Sequence, residues 1–307
     1  MKDNNIFRTT IGGQALIEGI LMRGPSKTCI VVRRPDGELV YKEETYKTRT
    51  GFAALPLIRG VVRLGDSLSG GIKALTYSSD IAFDGVEEEE DDWLTRKLGK
   101  KKAQDLATTI ALVLGIAIPI ALFILLPTLL AGLLDQWIGS GFLRNLVEGL
   151  IRILIFLGFL LSISRMKDIR RTFMYHGAEH KTIHCYEHNL PLTVENVRKF
   201  PKAHPRCGTS FLFVVMIISI LVFSFVKWSN PLIRVLLRLV LQPVIISLSY
   251  EFNLLVGRHD NALTKILRAP GLFMQKFTTF EPDASMIEVA AAALTRVIPE
   301  KEGEDRW

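Results

Sequence analysis

The segment Tyr175-His176-Gly177-Ala178-Glu179-His180-Lys181-Thr182-Ile183-His184-Cys185-Tyr186-Glu187-His188 holds four of the chain's six histidines, each four residues from the next. On a helix such positions share one face, a turn apart, so His176 and His180 can offer two imidazoles to one ion. Glu179 stands beside them as a candidate general base. The order His-x-x-Glu-His is that of metallopeptidases in which two histidines and a more distant carboxylate hold zinc while the internal glutamate activates the bound water. One ion takes only a neighbouring pair, because His176 and His188 lie roughly 18 Å apart along a continuous helix. His184 and His188 then form a second site, hydrogen-bond to the first, or lie on a solvated face. The plain alternative is a polar helix whose histidines do no chemistry.

Further ligands must come from elsewhere in the chain. Ala203-His204-Pro205-Arg206-Cys207-Gly208-Thr209-Ser210 adds His204 and Cys207 as candidate ligands, or Cys207 as a nucleophile. The alternative is a turn shaped by Pro205 and Gly208, with Thr209 or Ser210 capping the next helix. Glu251 is the expected third ligand, against an ion pair with Arg258. Four ligands, His176, His180, His204 and Cys207, would close a structural site, whereas three leave a position for water. Imidazole with carboxylate suits zinc, iron or manganese, with zinc the first expectation for a divalent ion. The three cysteines, Cys29, Cys185 and Cys207, fall in segments expected on the cytoplasmic side, which implies reduced thiols and no disulfide framework.

The elements that must position these residues are membrane spans. In 307 residues, 49% are hydrophobic and the mean hydropathy is +0.27, more apolar than a soluble domain needs. Leu106 to Leu134 carries no charge and exceeds the ~20 residues that cross a hydrocarbon core, with Pro119 and Pro127 tolerated as kinks. Phe142 to Ser164, Thr209 to Val226 and Leu232 to Tyr250 are three further spans, giving two helical hairpins. Lys and Arg cluster before the first span, after the second, before the third and after the fourth, for example Arg96, Lys97, Arg170, Arg171, Arg198, Lys199, Arg258 and Lys265. By the positive-inside rule both tails and the histidine loop are cytoplasmic in a multi-pass protein of the cell membrane. The short connections Asp135 to Gly141 and Lys227 to Pro231 face outward, with Trp137 and Trp228 as interfacial anchors. No cleavable signal peptide is expected, since the first apolar stretch is short and interrupted by Gln14 and Glu18. His176, His180, His204, Cys207 and Glu251 then meet near the cytoplasmic membrane face.

Two of the spans carry charge. Arg144, Glu148 and Arg152 recur every fourth residue on the second, and Arg234, Arg238 and Gln242 on the fourth. Intramembrane charges face a bundle interior or an aqueous cavity, so the stripes are expected to face one another around Glu148 as an anion site, for example for a lipid phosphate. Alternatively the arginines snorkel to outer headgroups.

The remaining segments frame these parts. Residues 1–80 form a small cytoplasmic β-rich unit with an amphipathic helix: Thr28 to Arg34 and Glu38 to Glu44 read as strands around the turn Pro35-Asp36-Gly37. Leu55 to Tyr77 has an apolar face suited to the inner leaflet or to packing. Gly12, Gly13, Gly19 and Gly24 let backbone approach a ligand, or more simply mark bulges and turns. Residues 81–105 are an acidic then basic linker containing Glu87 to Asp92. The first hairpin (106–164), the His-rich loop (165–208), the second hairpin (209–256) and C-terminal helices (257–307) follow. Those helices are expected at Asn261 to Lys276 and Ser285 to Ile298, ahead of a disordered tail from Glu300 to Trp307. The net charge of +7 comes mainly from basic span flanks, so no nucleic-acid partner is inferred; nothing in the sequence sets an oligomeric state.

Together with Ile11-Gly12-Gly13-Gln14-Ala15-Leu16-Ile17-Glu18-Gly19-Ile20-Leu21-Met22-Arg23-Gly24-Pro25, the histidine run, His204-Pro205-Arg206-Cys207-Gly208-Thr209-Ser210-Phe211 and Thr279-Phe280-Glu281-Pro282-Asp283 resemble the YqhQ-like family of bacterial membrane proteins. That resemblance implies a metal-dependent enzyme and no particular substrate. Three function classes follow: an integral-membrane metal-dependent hydrolase of a peptide or lipid-linked substrate, a transporter or lipid-handling protein using the arginine stripes, and a scaffold held by a structural metal.

Overall fold

The computed structural model describes residues 6–45, 49–84, 97–138, 141–225, 231–259 and 261–306. The acidic run Glu87 to Asp92, Arg96, Trp228 and most of the Lys227 to Pro231 connection lie outside these residues, as does the side chain of Arg234. The chain divides into two compact units, one of Met1–Asp84, Leu160–Ile218 and Pro243–Trp307, the other of Gly85–Phe159 and Ser219–Gln242.

The first unit is built on an antiparallel meander of β1 (Gly12–Leu16), β2 (Gly19–Arg23), β3 (Lys27–Arg33) and β4 (Leu39–Thr45), paired in sequence order. The expected hairpin around Pro35-Asp36-Gly37 joins β3 to β4, with Gly37 at φ +93°. Alternation along β2 and β3 sends Ile20, Met22, Cys29 and Val31 to one face and Leu21, Ile30 and Val32 to the other. The first face packs on α4 (Lys167–Glu187) and α8 (Ala284–Val297), which contribute Tyr175, Ala178, Met286, Ala290 and Leu294 to one core. The second face is covered by Ala74 and Ala82 of α1 (Arg59–Ala82). Each large apolar side chain buried there contributes about 1.5–3 kcal/mol. Asp283 starts α8 by accepting the Met286 N–H at 3.0 Å.

Among the described residues four further helices are strongly apolar. Among the described residues three are long and apolar enough to cross a membrane: α2 (Leu106–Leu133), α3 (Phe142–Ile163) and the part of α6 (Pro231–Arg258) from Val235. The fourth expected span is α5 (Gly208–Ser224), only 17 residues among those described. Pro119 lies inside α2 and a π turn follows at Ala121–Leu125, the usual response of a helix to a residue without an amide hydrogen. The window of α2 that marks it as a candidate span buries none of its side chains.

In the second unit Glu148 is 1% exposed. It accepts from Arg152 at 3.2 Å and from Arg238 at 2.7 Å, with Thr128 of α2 at 3.1 Å. Both guanidinium groups also lie over Phe223. Arg144 stands instead beside Gly132 of α2. Arg152 and Arg238 thus spend much of their charge on one carboxylate, the arrangement that burying ions in an apolar bundle demands.

The C-terminal tail differs from the sequence expectation of disorder. Asp305 is buried, accepts the Thr9 hydroxyl at 2.5 Å, and its neighbour Arg306 forms a β-bridge with Thr9. Charge composition alone hides this, because the donors, the Thr9 hydroxyl and the Thr10 N–H, lie at the other end of the chain.

Candidate functional site

Helix α4 begins after a break: Ser164 to Met166 leave helical geometry, with Met166 at ψ 131°. The second apolar helix therefore does not run into the histidines. Gly177 does not bend α4 either, which runs unbroken to Glu187. A Cβ at Gly177 would overlap the Phe280 carbonyl, so glycine is required for the segment before α8 to cross α4 closely. That crossing places the end of α7 (Ala262–Thr278) against the histidines.

His176 and His180 lie side by side with ring centroids 4.4 Å apart. His176 Nδ1 is 2.8 Å from the Thr278 carbonyl and His180 Nδ1 is 2.7 Å from that of Lys202. A carbonyl only accepts, so each ring donates from Nδ1 and presents Nε2 to the site. His176 Nε2 is 3.2 Å from Cys207 Sγ. The ligand atoms of His176, His180 and Cys207 all lie within 4.8 Å of one another, a group that could hold one metal ion.

Glu179 occupies the same pocket. Its Oε1 accepts the Gly13 N–H at 3.1 Å, whereas Oε2 is buried without a hydrogen-bond partner. An orphaned carboxylate oxygen beside three convergent soft and borderline donors fits a site built for an ion and a water. A Cβ at Gly13 would sit 2.9 Å from the Glu179 carboxyl carbon. Gly13 therefore allows backbone to reach the site, rather than only marking a bulge or turn.

Electrostatics follow the geometry. Burial alone would raise the Cys207 thiol, but His176 and His180 outweigh it and hold the thiol well below its ordinary value. Burial opposes the charge on His176, yet the facing Cys207 and Glu179 raise it to about 9. Burial pushes the Glu179 carboxyl up, against the pull of the two histidines. The opposite shifts of Cys207 and His176 favour a thiolate–imidazolium pair in the absence of an ion; a cation would take over the thiolate and release the imidazole.

A second group, His184, Glu187 and His204, also falls within ligand distance, but it is satisfied internally. His204 Nε2 lies 3.5 Å from Glu187, which also accepts from Arg206 and from the Thr9 N–H at 2.9 Å. His184 Nε2 sits 2.9 Å from the Ala203 carbonyl. Burial lowers His204 to about 4 and lowers His184 as well. Burial would raise Glu187, but His204 and Arg206 hold its carboxyl below the usual range. His188 Nδ1 donates to the His184 carbonyl at 2.7 Å. These side chains brace the loop that carries Cys207.

His204 thus lies outside the first group, and so does Glu251. The Glu251 carboxylate pairs with Arg59 at 2.7 and 2.5 Å and receives the Leu57 N–H at 3.3 Å. Its partner is not Arg258, because the start of α1 packs on α6 there. Gln275, which the sequence did not single out, holds the loop: it accepts the His204 N–H at 2.8 Å and donates to the His204 carbonyl at 2.7 Å and to Ser210 at 3.0 Å. A cavity of about 390 Å³ opens over the first group, lined also by β1 and by Phe173 and Thr209.

Fold and site define a mainly helical protein that joins apolar helices of membrane-spanning length to a small antiparallel sheet, with a buried histidine–cysteine–glutamate cluster at the sheet's edge. Residues 55–300 match the family model described as "Protein of unknown function (DUF1385)", and the chain belongs to that family. It is 32% identical over 293 residues to the "Uncharacterized protein YqhQ" of Bacillus subtilis (strain 168), covering 94% of this chain and 92% of that one. No solved structure matches the chain.

Proposed function

We propose that the chain is an integral-membrane, metal-dependent hydrolase working at the cytoplasmic face of the cell membrane. His176, His180 and Cys207 hold a divalent ion and Glu179 is the general base. The observation that carries this reading is the pair of imidazoles whose Nδ1 atoms are fixed on carbonyls, so that both Nε2 lone pairs converge with the Cys207 sulfur beside the unpartnered Glu179 Oε2. Two nitrogens and one sulfur favour zinc among common ions. A bound divalent ion would acidify a water and polarise a substrate carbonyl.

The protein's own groups do the rest. Glu179 Oε2 takes the water's proton and returns it to the leaving group. Thr278 and Lys202 fix the ring orientations, and Glu187 with Gln275 holds the loop before Cys207. A structural site would require a fourth protein ligand, and His204 is committed to Glu187. The donor set therefore leaves a position open, as catalysis needs.

The topology that goes with this reading is two hairpins, α2 with α3 and α5 with α6, both termini cytoplasmic and the site beside the inner ends of the spans. It is supported by the apolar helices and by the basic residues flanking them. Lipid bilayer is then the medium, and the substrate is membrane-associated. A second reading uses the His176–Cys207 pair as a nucleophilic dyad, favoured by their 3.2 Å contact. It leaves Glu179 Oε2 and the fixed tautomer of His180 without a role.

Elemental analysis of detergent-purified protein separates these. Near-stoichiometric metal in wild type, lost in His176→Ala, His180→Ala and Cys207→Ser but kept in Glu179→Gln and Glu251→Gln, is expected. Metal-free wild type, prepared without chelators, would overturn the proposal in favour of the dyad.

A further inference from the structure

The free edge of the sheet lies beside the site. β1 ends the strand order, so among the described residues a strand pairs with one of its sides only. The two-residue link Ile17-Glu18 sets Leu16 opposite Gly19. In an antiparallel ladder this turns the backbone groups of Leu16, Gln14 and Gly12 toward β2 and those of Ala15 and Gly13 away from it. The Gly13 N–H agrees, since it goes to Glu179. Among the described residues, the Gly13 carbonyl and both backbone groups of Ala15 find no partner.

The protein itself already seats a segment on this edge. Just before β1, Thr9 bridges Arg306 antiparallel, and the Thr10 N–H donates to the Asp305 carbonyl at 2.5 Å. Among the described residues this pairing does not extend past Thr10, and the cavity runs along Thr9 to Ala15 with Phe173 and His176 opposite.

We infer that the substrate is a polypeptide bound in extended form along the free edge of β1, as an added strand whose scissile amide lies beside Glu179. This rests on the hydrolase reading and names its substrate class. The Gly13 carbonyl and the Ala15 amide and carbonyl match another peptide backbone; an acyl chain cannot satisfy them. The reaction balances with water alone: its oxygen bonds to the amide carbon, the C–N bond breaks, and the proton taken by Glu179 leaves on the amine.

The test uses zinc-loaded, detergent-purified full-length protein and three probes, with binding followed by calorimetry. Acetohydroxamate reports the metal alone, an acetylated tetra-alanine hydroxamate adds a backbone, and a dodecanoyl hydroxamate adds an acyl chain. The peptide probe should bind at least about tenfold more tightly than acetohydroxamate, as one or two net hydrogen bonds allow. Methylating its amides one at a time should remove that gain at alternate positions only. Ala15→Pro should remove it too, leaving acetohydroxamate binding unchanged. A peptide probe no tighter than acetohydroxamate, equal effects at successive amides, or tighter binding of the dodecanoyl probe would overturn the inference while sparing the metal site. Failure of acetohydroxamate to bind would overturn both.

Discussion

Burial and hydrogen bonding give neighbouring histidines opposite roles. His176 and His180 donate from Nδ1 to carbonyls and turn Nε2 to the site, whereas His204 is buried neutral against Glu187. A histidine whose folded value lies below its unfolded one stabilises fully above the unfolded value and loses that contribution as pH falls toward the folded one. For His204 the window runs from the ordinary 6.5 down to about 4. Acidification from pH 6.5 to 5 should therefore cost wild type roughly 1–2 kcal/mol through this residue, read as a fall in Tm. His204→Gln should start less stable and show a shallower fall over that interval, a comparison that cancels the opposing contribution of Glu179. Equal slopes in the two proteins would place the sensitivity elsewhere. His176, raised to about 9, acts in the other direction and above this window, between 6.5 and 9.

Much of this residue chemistry is legible in sequence because one helix carries it. The spacing of His176, Glu179 and His180 fixes a common face with no tertiary knowledge. The choice between Cys207 and His204 is not legible: both precede α5, and their assignment depends on Gln275 and Glu187 gripping the loop. Glu251 fails as a ligand for the same reason, since Arg59 reaches it from 192 positions away in the chain. The open edge at Gly13 and Ala15 is equally invisible, because sequence shows glycines but not which strand ends the sheet.

At the level of elements, close crossings place the chemistry. Gly177 lets the Phe280 backbone pass over α4, and the Phe280 N–H donates to the Phe173 carbonyl at 3.0 Å. Gly177→Val should cost about 1–3 kcal/mol from overpacking, and it should also lower metal affinity by shifting the Thr278 carbonyl away from His176. Thermal unfolding with and without added zinc checks both. A stability loss with metal affinity unchanged would detach the crossing from the site. β3, β4, α1, α7 and α8 follow their sequence signals to within about five residues, because periodicity and caps such as Asp283 are local, whereas β1 and β2 fall in the glycine-rich opening that periodicity does not mark. The buried Asp305 tail is missed because its anchor, Thr9, is remote.

At the scale of the whole molecule the question is the number of crossings. Helices α2, α3 and α6 have spanning length, and α5 is shorter, about 25 Å at 1.5 Å per residue. That is close to the thickness of a thinned bilayer core, and the basic flanks before α5 and after α6 both call for the cytoplasmic side. Reporter fusions at Met1 and after Trp307 should both be active only as cytoplasmic reporters. Termini on opposite sides would mean an odd number of crossings and would separate the site from the inner ends of the spans.

The central claim is a two-nitrogen, one-sulfur metal centre at His176, His180 and Cys207. X-ray absorption at the zinc edge on the purified protein tests it most directly. The expected first shell has one sulfur at about 2.3 Å and two imidazole nitrogens at about 2.0–2.1 Å plus one light atom, with the sulfur lost in Cys207→Ser. A shell of oxygen and nitrogen alone in wild type, or one unchanged by Cys207→Ser, would contradict it.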